Sequence, residues 1–349
     1  MESPTGGRMK ITTARLAALF CLFFLISWGL GYPILNRYDP RQTTGLTDVK
    51  TYAALVNGAV SADAGLIRFR VLVPWLARPF YQLARGRVVS WDPVMFGLLA
   101  TDSLFVAATA ALIVLLGTRQ LGSYAVSLVA SLLYLVNFAV PNLRLAGLVD
   151  AGEGFFLLAL LWSLSERQLW ALPVIGVLGS MTKESFIPLS IVFTAAWWFA
   201  VRKDSGSPAR SVAWILTSWA ASVATMVGLQ WWVGGSFVSP IRFAATLHGN
   251  HEYVQHFVAS LGDRNFWYIF LWLLPTAIPN LKRFPKSWLI PAAATCPLVF
   301  VLDGYCGCAP GTLGRALFSV AGPLLSLSSS LLLHGISGQS PGFNQRAVH

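Results

Sequence analysis

Apolar runs of up to 24 residues, separated by short polar segments, recur along almost the whole chain, and this repetition limits the possible folds more than any other feature. A helix rises 1.5 Å per residue, so about 20 apolar residues match roughly 30 Å of hydrocarbon. Ten such runs occupy residues 16–36, 93–116, 121–140, 148–164, 169–181, 186–201, 212–233, 266–278, 288–302 and 316–333. The runs at 169–181 and 266–278 reach only about 20 Å as helices, which suits a tilted or re-entrant segment. The chain reads as an all-α polytopic membrane protein of about ten transmembrane helices, with residues 1–349 forming a single integral membrane domain.

Composition excludes the soluble alternatives. Charged residues make up 11% of the chain and apolar residues 55%, whereas a soluble domain carries roughly twice that charge. The 14 tryptophans and 22 phenylalanines, among so many other apolar side chains, exceed what one soluble core could hide. Four cysteines in 349 residues are too sparse for a secreted disulfide scaffold. The net charge of +11 raises the question of nucleic acid. Most of the basic residues, however, fall between apolar runs and act as topology signals.

The first run follows Arg8, Lys10 and Arg15 but lacks a small-residue cleavage pattern, so it reads as an uncleaved anchor. With that basic flank in the cytoplasm and ten spans following, both termini are cytoplasmic. The inner segments then hold twelve of the 25 Lys and Arg residues, the short outer segments hold five, and one long outer segment holds eight. This bias matches the positive-inside rule, from which long loops are largely exempt. The inner or plasma membrane is the expected location. The two large outer loops are residues 37–92, expected to carry interfacial helices, and residues 234–265.

Acidic residues partition the other way. Only Glu2, Glu166 and Asp204 fall inside, Asp102 lies within the second run, and the other ten lie outside or at the outer ends of runs. Carboxylates near hydrocarbon are costly, so a set on one face marks a candidate site.

Four groups of residues stand out on that face. Asp48 and Tyr52 are four apart, on one side of a helix if that segment is helical, with the acid available as a general base. Arg68 and Arg70 lie in an apolar, cationic segment suited to the headgroup plane, where they would meet phosphates of a ligand or of ordinary anionic lipid. Asp150 and Glu153, three apart, can orient a polyol, hold a divalent metal or pair with Arg144. Lys183 and Glu184 are wedged between two apolar runs, and Arg315 opens the last run, where it requires a phosphate or carboxylate partner.

Other motifs are weaker. His248, His251, Glu252 and His256 crowd one loop, but their order is not HExxH, and a solvated loop is the simpler reading than zinc. Cys306 and Cys308 can pair or bind metal, whereas Cys21 and Cys296 lie in apolar runs. No nucleotide-binding fingerprint is present.

A first span, an outer loop with Asp48 and Tyr52, the run Arg68-Phe69-Arg70-Val71-Leu72-Val73-Pro74, then Asp150, Thr182-Lys183-Glu184 and a late Gly314-Arg315 together resemble the multi-spanning GT-C glycosyltransferases of bacterial membranes. The resemblance implies an inverting transferase of the cell envelope. It would move a sugar from a polyprenyl-phosphate donor to a lipid, glycan or protein acceptor at the extracytoplasmic face. Asp48 would be the catalytic base. Tyr52, Arg68, Arg70, Asp150, Glu153, Lys183, Glu184 and Arg315 would bind substrate, with no assigned metal ligand. A polytopic transporter or lipid flippase is the alternative, and its polar groups should cluster near the midplane.

Overall fold

The computed structural model describes residues 11–37, 47–59, 62–87, 91–202, 208–235, 237, 253–306 and 311–336. Among them the chain is helical throughout, with no strand. This is what lipid demands, because a helix satisfies its backbone polar groups internally. Helices α1 (Thr13–Arg37), α2 (Thr47–Val56), α3 (Leu72–Ala84), α4 (Pro93–Leu121), α5 (Tyr124–Val136), α6 (Asp150–Ser165), α7 (Ala171–Thr182), α8 (Phe186–Val201) and α9 (Pro208–Gly234) come first. They are followed by α10 (Tyr253–Gly262), α11 (Arg264–Phe270), α12 (Leu273–Leu281), α13 (Lys286–Cys306) and α14 (Thr312–Ile336).

Five helices are long and apolar enough to cross a membrane: Thr13–Pro33 in α1, Pro93–Leu121, Ala209–Gly234 in α9, Lys286–Gly304 in α13 and Thr312–Leu332 in α14. Helices α5, α7 and α8 are apolar but shorter. Large apolar side chains such as Leu25, Phe199, Val223 and Trp232 point outward. That surface needs lipid to cover it, so the chain is a helical membrane protein.

Local chemistry sets the helix ends. Asp92 caps α4 by accepting from the Val94 and Met95 amides at 2.8 and 3.1 Å, with Pro93 at the first helical position. Gly122, at φ +68°, closes the same helix in the left-handed conformation. Two expected runs differ from their simplest form. The run at 121–140 leaves the α-helix at Val136, where Asn137 turns the chain into a π-turn at Val140–Arg144. The run at 266–278 is split between α11 and α12. Pro275 has no amide hydrogen for the Leu271 carbonyl and its ring crowds that carbonyl, which accounts for the break. The Asn137 side chain instead donates to the Ile269 carbonyl at 3.0 Å.

Packing places the loop that carries the arginines. Helix α3 lies along α4, brought close by Gly97, where a Cβ would come within 2.6 Å of the Ala77 carbonyl oxygen. Helix α4 also packs on α1, α5 and α6, while α14 packs on α5, α6, α12 and α13. The end of α7 and the starts of α2, α3, α6, α8 and α14 gather at one end of the bundle.

Candidate functional site

Two groups of charged residues meet at that end. The first is built around Arg70, which lies between a 3₁₀ segment at Ala62–Phe69 and α3. Its guanidinium donates through Nε to Glu184 Oε2 at 2.8 Å and through Nη2 to the other carboxylate oxygen, a fork-to-fork pair. Nη1 donates to the Tyr52 hydroxyl at 2.9 Å and lies 3.6 Å from Asp48 Oδ2. Asp48 and Tyr52 share one face of α2, as their spacing predicts, and both are directed at Arg70.

Lys183 organises the second group. Its ammonium donates to Asp150 Oδ1 at 2.8 Å and to Glu153 Oε2 at 3.2 Å, and Ser185 donates to the other Glu153 oxygen. Arg315 donates to Asp150 Oδ2 at 3.3 Å. Asp150 and Glu153 occupy the first turn of α6, where the helix dipole also favours negative charge.

Lys183 and Glu184, neighbours in the chain, join different groups because Lys183 leaves α7 in an extended conformation (φ −160°, ψ 138°). Side chains of an extended backbone alternate in direction. Residues separated by more than 250 positions in sequence thus form one continuous network. Ser185 belongs to it, and only its adjacency to the charged pair hinted at this.

Burial works against charge here, and pairing overcomes it. The Glu184 carboxyl would rise on burial but is held below its usual value by Arg70. Burial lowers Lys183, yet Asp150 and Glu153 keep it well above the usual ammonium value. The Arg70 guanidinium is likewise held charged, mainly by Glu184 against desolvation. Burial raises the Tyr52 phenol despite the opposing influence of Arg70, so Tyr52 remains neutral.

Arg68 stands apart from the network. Its guanidinium lies over the Phe69 ring at 4.8 Å and close to Gly234 at the end of α9, and its buried Nε has no hydrogen-bond partner among the described residues. Arg144 does not pair with Asp150 or Glu153, as one reading of the sequence suggested. It points away from them, toward Tyr134 and Ser319. Asp102 is fully buried in α4 and accepts no well-formed hydrogen bond among the described residues.

Asp150 and Glu153, considered as metal ligands, are engaged by Lys183 and Arg315 instead. No group of three or more His, Cys, Asp or Glu is placed to hold a metal ion among the described residues. His248, His251, Glu252, Cys308 and the side chain of Cys306 lie outside the described residues. Cys21 and Cys296 are free thiols. No protein-family model matches this chain, and neither a curated protein nor a solved structure shows significant similarity to it.

Proposed function

We propose that the protein is a membrane glycosyltransferase that moves a sugar from a polyprenyl-phosphate donor to a lipid, glycan or protein acceptor at the extracytoplasmic face of the plasma membrane. In this reading about ten segments traverse or enter the bilayer, both termini are cytoplasmic, and the charged network faces outward.

The charge balance of the network supports the reading most directly. Four carboxylates, Asp48, Asp150, Glu153 and Glu184, face three cations, Arg70, Lys183 and Arg315. Glu184 takes the fork of Arg70, and Asp150 and Glu153 share Lys183 and Arg315. Among the described residues the acid of this set without a close partner is Asp48, whose side chain is 34% exposed and beyond hydrogen-bond distance of Arg70. A general base needs this arrangement: reachable, and oriented by a neighbour without being locked into a fork-to-fork pair.

Asp48 takes the proton of an acceptor hydroxyl, whose oxygen attacks the anomeric carbon as the bond from that carbon to the phosphate oxygen breaks. The configuration inverts, and the phosphate leaves on its lipid. Arg70 uses all three of its nitrogens on Glu184 and Tyr52, so it serves to orient Asp48. Among the described residues Arg68 has no acid partner and Arg315 has one donor engaged, so these two are better suited to the departing phosphate.

Deleting the gene and profiling lipids and glycans by mass spectrometry tests this reading. One glycan or glycolipid should lose a sugar, wild-type protein should restore it, and Asp48→Asn should lower transfer about 100-fold or more at equal protein level. Full restoration by Asp48→Asn overturns the assignment. Asp102 favours the second reading, an ion-coupled transporter or flippase, because it is fully buried inside a span with no ion-pair partner among the described residues, and such an acid is a common mark of one. Loss of function in Asp102→Asn with normal function in Asp48→Asn would select it.

A further inference from the structure

Among the described residues Arg144 is the largest side chain that is fully buried. Among the described residues it has no carboxylate partner. Its Nη1 donates to the Tyr134 hydroxyl at 2.7 Å and its Nη2 to Ser319 Oγ at 3.0 Å, while Nε has no partner. The Tyr134 and Phe318 rings stack on each other 5.4 Å apart and 8° from parallel, and the guanidinium carbon lies 5.6 and 5.0 Å from their centroids. On its remaining side is Gly154 of α6, where a Cβ would fall 2.4 Å from Nη1. One guanidinium therefore touches α5, α6 and α14 at the same level.

That level lies one helical turn from the charged network. Gly154 is four residues beyond Asp150, and Ser319 is four beyond Arg315. The Asp150–Arg315 pair joins α6 to α14 at one turn, and Arg144 joins the same two helices at the next. The link is direct, because Ser319 Oγ accepts from Arg144 and donates to the Arg315 carbonyl oxygen at 3.2 Å.

A buried charge without a counter-charge is a poor way to gain stability, since a well-packed apolar side chain is often neutral or better. We propose that Arg144 is a positioning residue: by holding Ser319 and abutting Gly154 it sets the height and spacing of α14 against α6, so that Arg315 reaches Asp150. The π-turn at Val140–Arg144 aims the side chain inward for this purpose. The consequence for donor binding rests on the transferase reading above, whereas the geometric claim does not.

The test is a double-variant cycle on the full-length protein in detergent, read by thermal unfolding. Arg315→Gln should lower the melting temperature by several degrees in the wild type. In an Arg144→Met background, which fills the space without the charge, the same change should cost less than half as much. Ser319→Ala, a milder cut of the same link, should reduce the effect in the same direction and covers the case in which Arg144→Met does not fold. Additive shifts in the variants that fold overturn the proposal.

The second readout is transfer at varied donor concentration. Arg144→Met should raise the apparent KM for donor about 10-fold with kcat changed less than twofold. Loss confined to the amount of folded protein, with kinetics unchanged and shifts additive, would make Arg144 merely structural. A non-additive cycle with unchanged donor dependence would sustain the positioning role and count against placing Arg315 on a donor phosphate.

Discussion

Replacing Glu184 by Gln keeps the side chain's size and removes the charge that Arg70 was built to meet. The Arg70 side chain is 13% exposed and that of Glu184 is 27% exposed, so the pair is neither surface nor core. Breaking a buried pair costs about 3–5 kcal/mol and losing an exposed one about 0.2–1 kcal/mol. With Asp48 only 3.6 Å from Nη1 as a substitute partner, the loss should be about 2 kcal/mol. For a chain this long that corresponds to a fall in melting temperature of about 3 °C. The functional effect should be larger than the stability effect, because the released guanidinium turns onto Asp48 and ties up the base. Thermal unfolding of purified protein, together with transfer at equal folded protein, measures both. Arg70→Gln combined with Glu184→Gln removes the stranded cation as well and should be more stable than Glu184→Gln alone. The reasoning fails if Glu184→Gln leaves both melting temperature and transfer unchanged, or if the double variant is the less stable one.

The remaining predictions concern pH and packing. A carboxylate with a lowered folded pKa contributes stability above its unfolded value, 4.5 for Glu184, and loses it as pH falls through the folded value. The stability advantage of wild type over Glu184→Gln should therefore be constant from neutral pH down to about 4.5 and shrink only below it; a decline already complete at about pH 6 contradicts the pairing. Lys183 behaves oppositely: its contribution is full below 10.5 and is lost only as pH rises through a still higher folded value, which Lys183→Gln should reveal as a difference that persists past pH 10.5. Gly97→Ala would press a methyl into the Ala77 carbonyl oxygen and should lower the melting temperature, at a cost of about 1–3 kcal/mol, by lifting α3 off α4. An unchanged melting temperature would mean that α3 is not held at that distance.

Membrane residence and helical architecture are legible in the sequence because both follow from local properties, apolar run length and backbone satisfaction in lipid. The residues of the network are partly legible for a similar reason: an acid or cation next to hydrocarbon is expensive, so Asp150, Lys183 and Arg315 announce themselves. Which partners they take is not. Lys183 and Glu184 are neighbours in the chain, and nothing in their order shows that the extended backbone at Lys183 sends them to two different groups. Pairing with Arg144 is one of the readings that Asp150 and Glu153 allow, but the π-turn that ends at Arg144 directs the guanidinium to Tyr134 and Ser319. The division of 264–281 into α11 and α12 carried a signal in Pro275, four residues after the carbonyl it disturbs, whereas the amide of Asn137 reaching Ile269 depends on a contact across 132 residues and left none.

The order of synthesis adds a constraint that the finished structure conceals. Asp150 and Glu153 are made before Lys183, and Arg315 and Ser319 are made more than 130 residues after Lys183. Until α14 enters the bundle, Asp150 lacks one of its two cations and Arg144 lacks one of its two hydroxyl acceptors. Helix α14 thus completes the pairing of Asp150 and Arg144, and a nascent protein halted before it carries unmet charge close to hydrocarbon. Quality control that samples polar groups in the membrane can recognise such a chain as incomplete, so loss of α14 should be read in the cell as degradation before it is read as lost activity.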